Sequence, residues 1–403
     1  MTRATRLRMV LATGIAISLL AACGGNDDDD AADENEPAAE EDEQGNDEEG
    51  DDEGGEQDLP ELPELTEVTA GYVSAVDQMG AAVAFDLALY DDLNLDVTLA
   101  DPFPTGVDAI QAMEAGDVDF IQVGTPSIGA VLEDVDLVYL GNYTGSSTQL
   151  GIDETMAMVA AQDSGIESDD LSTLEGKSIG VSIGSINHLY LLGVLEEAGL
   201  TPDDVQIENT SPPDMGVALE TEGLDAAVVW DPWPITISNS VEGASEVIRG
   251  GGYIPFIGYI IATRDFVEEN PDVVKAFLTA RAAADQWMRE NPDEAADVVT
   301  RWIPDTEIEV AEEAMQYNIE QLDPRFSACN YVALDTMQGL LEDVDAIEDT
   351  FDVNDHFEPQ YILEVMEEQP QLFDDLPEIP EEAEITADYT FDRAEAVEAC
   401  PEN

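Results

Sequence analysis

From residue 68 onward the chain alternates short β-branched runs with stretches whose apolar positions recur every three or four residues. Residues 68–73 (Val-Thr-Ala-Gly-Tyr-Val) read as a strand, 74–78 as a loop, 78–90 as a helix and 95–100 as a second strand. A helix near 105–115 leads into a strand at 119–123. Gly124-Thr125-Pro126-Ser127 then opens another helix, with Thr125 as cap and Pro126 at the first position, where a missing N–H costs nothing. The same rhythm returns later. Residues 176–185 (Gly-Lys-Ser-Ile-Gly-Val-Ser-Ile-Gly-Ser) read as a strand ending at glycine, with Ser185 as N-cap and Asn187 and His188 in the first turn of a helix. Residues 225–233 (Asp-Ala-Ala-Val-Val-Trp-Asp-Pro-Trp) read as a buried strand presenting Trp230 and Asp231 at its carboxyl end. Alternation at this spacing predicts parallel α/β units. In such sheets ligands sit off the carboxyl ends of the strands, and a Gly-Ser turn into a helix aims N–H groups and a positive dipole end at a small anion.

The pattern repeats internally. Residues 108–127 align without gaps on 214–233, with six of twenty positions identical, among them Asp119/Asp225, Val123/Val229 and Pro126/Pro232. The repeat places Thr125 and Asp231 at equivalent strand ends in two similar lobes. Strands at 156–161 and 258–263 are expected to leave and re-enter the first lobe and to form a hinge. The domain reading is therefore residues 59–157 with 264–403 as lobe I and 158–263 as lobe II. The fold class is α/β, each lobe a parallel or mixed sheet flanked by helices. In the helix at 271–289, Val274, Phe277, Leu278 and Trp287 recur at helical spacing and are assigned to the core. The tail is helical, then proline-rich and extended from about residue 376.

Composition changes the picture at the surface and at the N-terminus. The 403 residues carry 93 acids against 12 bases. Residues 24–58 hold 19 acids and no Lys or Arg, and residues 59–403 retain a net charge near −65. A nucleic-acid partner is excluded, because neutralising phosphates takes a basic face. So large a surplus with ordinary apolar content fits a surface kept soluble in concentrated salt, where at about 1 M the screening length is about 3 Å. An acidic cell-surface protein with no special habitat is the alternative. Arg3, Arg6 and Arg8 precede an apolar run at 9–20, too short for a permanent span, and then Leu20-Ala21-Ala22-Cys23-Gly24. Small residues before that cysteine look like a bacterial lipobox, so residues 1–23 are expected to be removed and Cys23 lipidated, anchoring an exported chain at the outer face of the membrane or in the periplasm. Residues 24–58 are expected to be a disordered acidic tether. Cys329 and Cys400 are expected to pair in an oxidising compartment, the alternative being two separate buried thiols.

Taken together, the chain resembles the substrate-binding proteins of bacterial ABC importers, in the taurine, aliphatic-sulfonate and nitrate branch. The residues that carry the resemblance are Gly71-Tyr72 with Val76-Asp77, Glu114-Ala115-Gly116-Asp117-Val118-Asp119, and Val123-Gly124-Thr125-Pro126. Leu174-Glu175-Gly176-Lys177-Ser178-Ile179-Gly180-Val181, Gly184-Ser185 with His188, and Asp225-Ala226-Ala227-Val228-Val229-Trp230-Asp231-Pro232 complete it. Taurine-binding members are the nearest match, and the likeness covers roughly residues 66–300. It implies a two-lobed periplasmic-binding-protein fold of the second type that closes on a small anion or zwitterion. Delivery to a permease with a cytoplasmic ATPase is implied, by a monomer with no cofactor, no metal and no catalysis. By the same resemblance, Ser185, Asn187 and His188 with the adjacent amides would hold the anionic group. Val76, Asp77 and Thr125 would face it from lobe I, Asp231 would pair with a ligand ammonium, and Trp230 would wall the cleft or join the core. Ile186 and Asn187 depart from the family, whose taurine binders tend to have hydroxyl residues there, and the cysteine-bearing tail is longer.

Two rival classes remain. A surface sensor would bind the same ligand without transport. A serine hydrolase is suggested by Gly180-Val181-Ser182-Ile183-Gly184, which matches a nucleophile elbow, yet Ser182 lies in the strand rather than at the turn. Its base could only be His188 or His356.

Overall fold

The computed structural model describes residues 61–151 and 153–400. The expected targeting segment, Cys23 and the acidic tether lie outside the described residues. Lobe I begins with β1 (Thr66–Ala70) and β2 (Leu95–Leu99), paired in parallel, with α1 (Gly80–Asp86) between them. α1 is shorter than the sequence pattern predicts. A 3-10 turn (Val76–Gln78) precedes it, and the chain turns out of helix at Ala88, whose φ is 58°. α2 (Gly106–Glu114), β3 (Ile121–Val123), α3 (Pro126–Leu132) and β4 (Leu137–Thr144) follow. β4 is buried along its whole length, so its sequence lacks the period-two alternation that marks a half-exposed strand.

Lobe II carries a five-stranded sheet in the order β7-β6-β8-β5-β9. Its elements are β5 (Met156–Ala160), β6 (Ser178–Val181), α4 (Ile186–Glu197), β7 (Gln206–Asn209), α5 (Pro212–Glu220), β8 (Ala226–Trp230), α6 (Trp233–Ser240) and β9 (Ser245–Arg249). β6 runs parallel to β7 and β8, while β5 is antiparallel to β8 and β9. The chain then returns to lobe I as β10 (Gly258–Thr263), the central strand of the antiparallel sheet β3-β10-β4. The described residues 145–151 with 153–155, and 250–257, join the lobes, each passage leading directly into one of the strands, β5 and β10, that the sequence marks as a pair.

The internal repeat has a physical counterpart. α2–β3–α3 in lobe I matches α5–β8–α6 in lobe II. The repeated aspartates do similar work: Asp119 accepts the Thr69 N–H near the end of β1 at 2.8 Å and Asp225 accepts the Ser178 N–H at the start of β6 at 2.9 Å, each pinning a neighbouring strand.

The remaining helices wrap lobe I: α7 (Arg264–Glu269), α8 (Pro271–Glu290), α9 (Pro292–Trp302), α10 (Ile308–Asn318), α11 (Ala328–Asp343), α12 (Gln360–Glu368) and α13 (Arg393–Ala399). Along α8, Val274, Phe277 and Leu278 are buried, and Phe277 stacks on Phe120 with ring centroids 4.1 Å apart. The next turn of α8 buries the pair Arg281–Asp285, and Arg281 also donates to Gln122. This pair lies so close to α1 that a Cβ on Gly80 would fall 2.3 Å from both partners, so any larger residue there would have to displace the buried pair. Cys329, at the start of α11, is disulfide-bonded to Cys400 beyond α13.

Candidate functional site

Between the lobes lies a tight cavity of about 30 Å³, far below the roughly 300–1,000 Å³ usual for small-molecule sites. Val73, Ala75, Asp77 and Gln78 from the loop after β1 form one wall, with Gly106 at the tip of α2 and Gly124 and Pro126 at the tip of α3. Ser185 and Ile186, at the tip of α4, close it from lobe II together with Trp230. Tyr143 and Phe256 complete the lining, which contains no Lys or Arg.

Local sequence explains how these groups are aimed. Gly184, at φ 84°, takes the left-handed turn that ends the loop after β6 and starts α4 at once. Ser185 occupies the N-cap position, but its hydroxyl makes no cap bond: the Oγ is buried with no partner. The Ile186 and Asn187 N–H groups have no carbonyl partner within the helix either, while those of Ser185 and His188 are taken by the Ser182 and Ser185 carbonyls at 3.0 Å each. Donors without partners at a helix tip, facing a cavity, suit an anion.

The opposite wall holds an acid. Asp77 is buried, and no Lys, Arg or His reaches its carboxylate among the described residues. Burial, and then the negative charge of Asp231, push its carboxyl up to about 7. The cavity thus pairs a donor-rich end with an unbalanced acid and aromatic sides.

Asp231 lies just outside. Its side chain is not part of the lining and meets Arg249 in a bidentate pair, with Nη1 to Oδ2 at 2.9 Å and Nη2 to Oδ1 at 3.0 Å. Asn318 Nδ2 donates to the same Oδ2 at 3.2 Å. Burial raises the Asp231 carboxyl above the usual carboxylate range, and the Arg249 guanidinium pulls it back down without cancelling the rise. Both oxygens are engaged, so the ammonium contact implied for Asp231 by the family resemblance has no free acceptor here. Asp77 offers one.

The other expected residues divide. Trp230 lines the cavity, and its Nε1 donates to the Ser74 carbonyl at 3.1 Å. Val76 is turned inward, with its N–H on the Asp231 carbonyl at 3.1 Å. Thr125 does not cap α3: its own backbone is helical, and its hydroxyl points to Met337 Sδ of α11 at 4.0 Å. Asn187 is buried and ties α4 to β8 through the Val228 carbonyl at 2.8 Å. His188 stands beside the turn rather than in the cavity, accepting the Gly184 N–H on Nδ1 at 3.5 Å, and burial lowers its tendency to charge. Ser182 donates to the Thr210 carbonyl at 3.3 Å. Arg249, Tyr317 and Asn318 went unmarked in the sequence. A signal was available, since residues 59–403 contain nine Lys and Arg, and eight of them form ion pairs. A cation so scarce is worth following.

Two lobes linked by paired passages, with a polar cavity between opposed helix tips, define a protein of the periplasmic-binding-protein fold. Residues 76–295 match the model of the family described as NMT1/THI5 like, and the chain belongs to that family. A putative aliphatic sulfonates-binding protein of Bacillus subtilis is 29% identical over 66% of this chain and 77% of its own length. The taurine-binding periplasmic protein of Escherichia coli is 27% identical over 47% of this chain and 57% of its own. Among solved structures, the alkanesulfonate-binding protein SsuA of Xanthomonas axonopodis, bound to MOPS, superposes with a TM-score of 0.62 at 21% identity, covering 70% of this chain and 95% of SsuA. The fold also occurs in the desulfurization enzyme DSZB, with a TM-score of 0.56 at 14% identity over 75% of this chain and 99% of that one, so the architecture alone does not fix a function.

Proposed function

We propose that this chain is the extracytoplasmic solute-binding component of an ABC importer and that it captures a small zwitterion, an aminoalkanesulfonate such as taurine. The observation that carries the reading is a cavity with unpartnered donors at one end, Ser185 Oγ and the α4 tip, and the unbalanced acid Asp77 in its wall. A bare anion would meet Asp77 with no compensating charge. A zwitterion places its sulfonate on the helix tip and its ammonium on Asp77, against the faces of Trp230 and Tyr143. Trapping by lobe closure makes and breaks no bond.

The reading includes anchoring through lipidated Cys23, delivery as a monomer to a permease, and a surface adapted to concentrated salt. Support for the last is the net charge near −65 on residues 59–403, whose self-repulsion is screened only at high ionic strength. A denaturation midpoint that does not rise between 0.1 and 2 M salt would count against it.

Isothermal calorimetry with taurine, ethanesulfonate, nitrate and a pyrimidine tests the ligand class. Taurine should bind most tightly, ethanesulfonate at least tenfold more weakly, and nitrate weakest. Equal affinity for taurine and ethanesulfonate would remove Asp77 from the reading, and no binding by either sulfonate would remove the reading itself.

A further inference from the structure

Trp230 and Asp231 are neighbours that serve different sides of one wall. Trp230 ends β8 and faces the cavity, while Asp231 turns its carboxylate into the seam between the lobes. Arg249, which holds that carboxylate, ends β9 and leads into Gly250-Gly251-Gly252, all at positive φ, the start of one of the two passages between lobes. Its Nη1 also donates to the Glu154 carbonyl in the other passage at 2.9 Å, and its Nη2 to Glu246 at 2.7 Å. Three residues, Asp231 and Glu246 of lobe II and Glu154 of the other passage, therefore fix one guanidinium at the root of the hinge.

Lobe I meets this assembly with the last turn of α10. The Tyr317 ring lies 4.1 Å from the guanidinium carbon, and Asn318 donates to Asp231 while its amide is held on the Ala314 carbonyl at 2.7 Å. The Val76 N–H on the Asp231 carbonyl and the Trp230 and Trp233 indoles on the Ser74 carbonyl extend the seam. Arg249, Tyr317 and Asn318 do not line the cavity.

We propose that Asp231 and Arg249 of lobe II, with Tyr317 and Asn318 of lobe I, form a closure latch that sets the open–closed balance whatever the cavity holds. Opening breaks contacts across the seam, among them the Asn318 amide on the carboxylate, the ring under the guanidinium, and the backbone and indole bonds. The ion pair and its bond to Glu246 lie within lobe II, and Glu154 stands in the passage next to β5, so these bonds persist and the guanidinium is already ordered when the lobes close again. A ligand that binds the closed form has an apparent affinity scaled by the closed fraction, so the latch enters the affinity of every ligand by the same factor.

The full chain carrying Asn318→Ala, Tyr317→Leu or both tests this, with Tyr317→Phe as a control that keeps the ring. Without ligand, the Leu and Ala variants should show a larger radius of gyration by small-angle scattering and a red-shifted tryptophan emission as Trp230 and Trp233 reach water. Tyr317→Phe should match the wild type in both. By stopped flow, taurine and ethanesulfonate should leave the Asn318→Ala variant faster by a common factor of about ten. Unchanged scattering and emission in the double variant, with far-UV dichroism intact, would overturn the latch. So would unequal losses for the two ligands, which would move these residues into the binding site. The scattering comparison needs no ligand and decides the proposal even if neither sulfonate binds.

Discussion

The cavity and the seam lie one residue apart along the chain and follow opposite rules. At the seam, every polar group of Asp231 is engaged: both carboxylate oxygens on Arg249, one of them also on Asn318, and its carbonyl on the Val76 N–H. In the cavity, the Ser185 hydroxyl is buried without a partner and Asp77 faces no cation. Satisfied buried polar groups fix a shape, while an unsatisfied one is stored binding capacity, since a group already stripped of water gains the most from a ligand. The difference explains why the stronger-looking acid in the sequence, Asp231 before a proline, is not the one left for a ligand.

Asp231→Ala should produce the largest effect. It takes the bidentate carboxylate from Arg249 and leaves Glu246 as that guanidinium's acidic partner, so the cost should approach but not exceed the about 3–5 kcal/mol of breaking a fully buried pair. Urea denaturation at neutral pH measures it, and a loss under about 1 kcal/mol would mean that the seam is less closed to water than its geometry states.

Asp77→Asn should act through pH. The unfolded carboxyl gives up its proton near 4, while in the fold it keeps it to about 7, so between these values the folded chain binds more protons. Stability credited to this group is therefore complete below pH 4 and lost as the pH rises through 7. Asp77→Asn should flatten that decline relative to the wild type, whose many surface carboxylates contribute equally to both proteins. In the wild type, taurine affinity should rise about tenfold per pH unit on approaching 7 from below, because the ammonium needs the ionised acid. Ethanesulfonate should lack that slope, and parallel slopes would break the contrast between the two regions.

Ser185→Ala should cost anionic ligands about tenfold in affinity while leaving the denaturation midpoint of the free protein unchanged or slightly raised, because the hydroxyl it removes has no partner. A clear loss of stability in the free chain would show that the hydroxyl is already satisfied. The smallest change is expected from His188→Ala, whose ring stands beside the Gly184 turn and outside the lining. Sulfonate affinity should stay within about twofold. A loss as large as that of Ser185→Ala would return the histidine to the site.

Much of this was legible in the sequence. The repeat of 108–127 in 214–233 marked equivalent pieces of two lobes, the Gly-Ser turn at 184–185 marked a helix tip, and Pro126 marked another. Those signals are local: a turn, a cap position or a strand run is written within ten consecutive residues. The lengths of α1 and the existence of β4 were harder to see, because backbone geometry at Ala88 and burial on both faces of β4 leave no periodic trace.

What the sequence by itself determined was an exported-looking, intensely acidic α/β chain with paired lobes and a small set of polar residues at strand ends. Only the tertiary structure decided which of them face the cavity. Asp231 meets Arg249 18 positions away and Asn318 87 positions away, and no local pattern records such a meeting. The physical reason is that a side chain's role depends on which charges and dipoles share its low-dielectric surroundings. Those neighbours are brought together by the packing of distant segments.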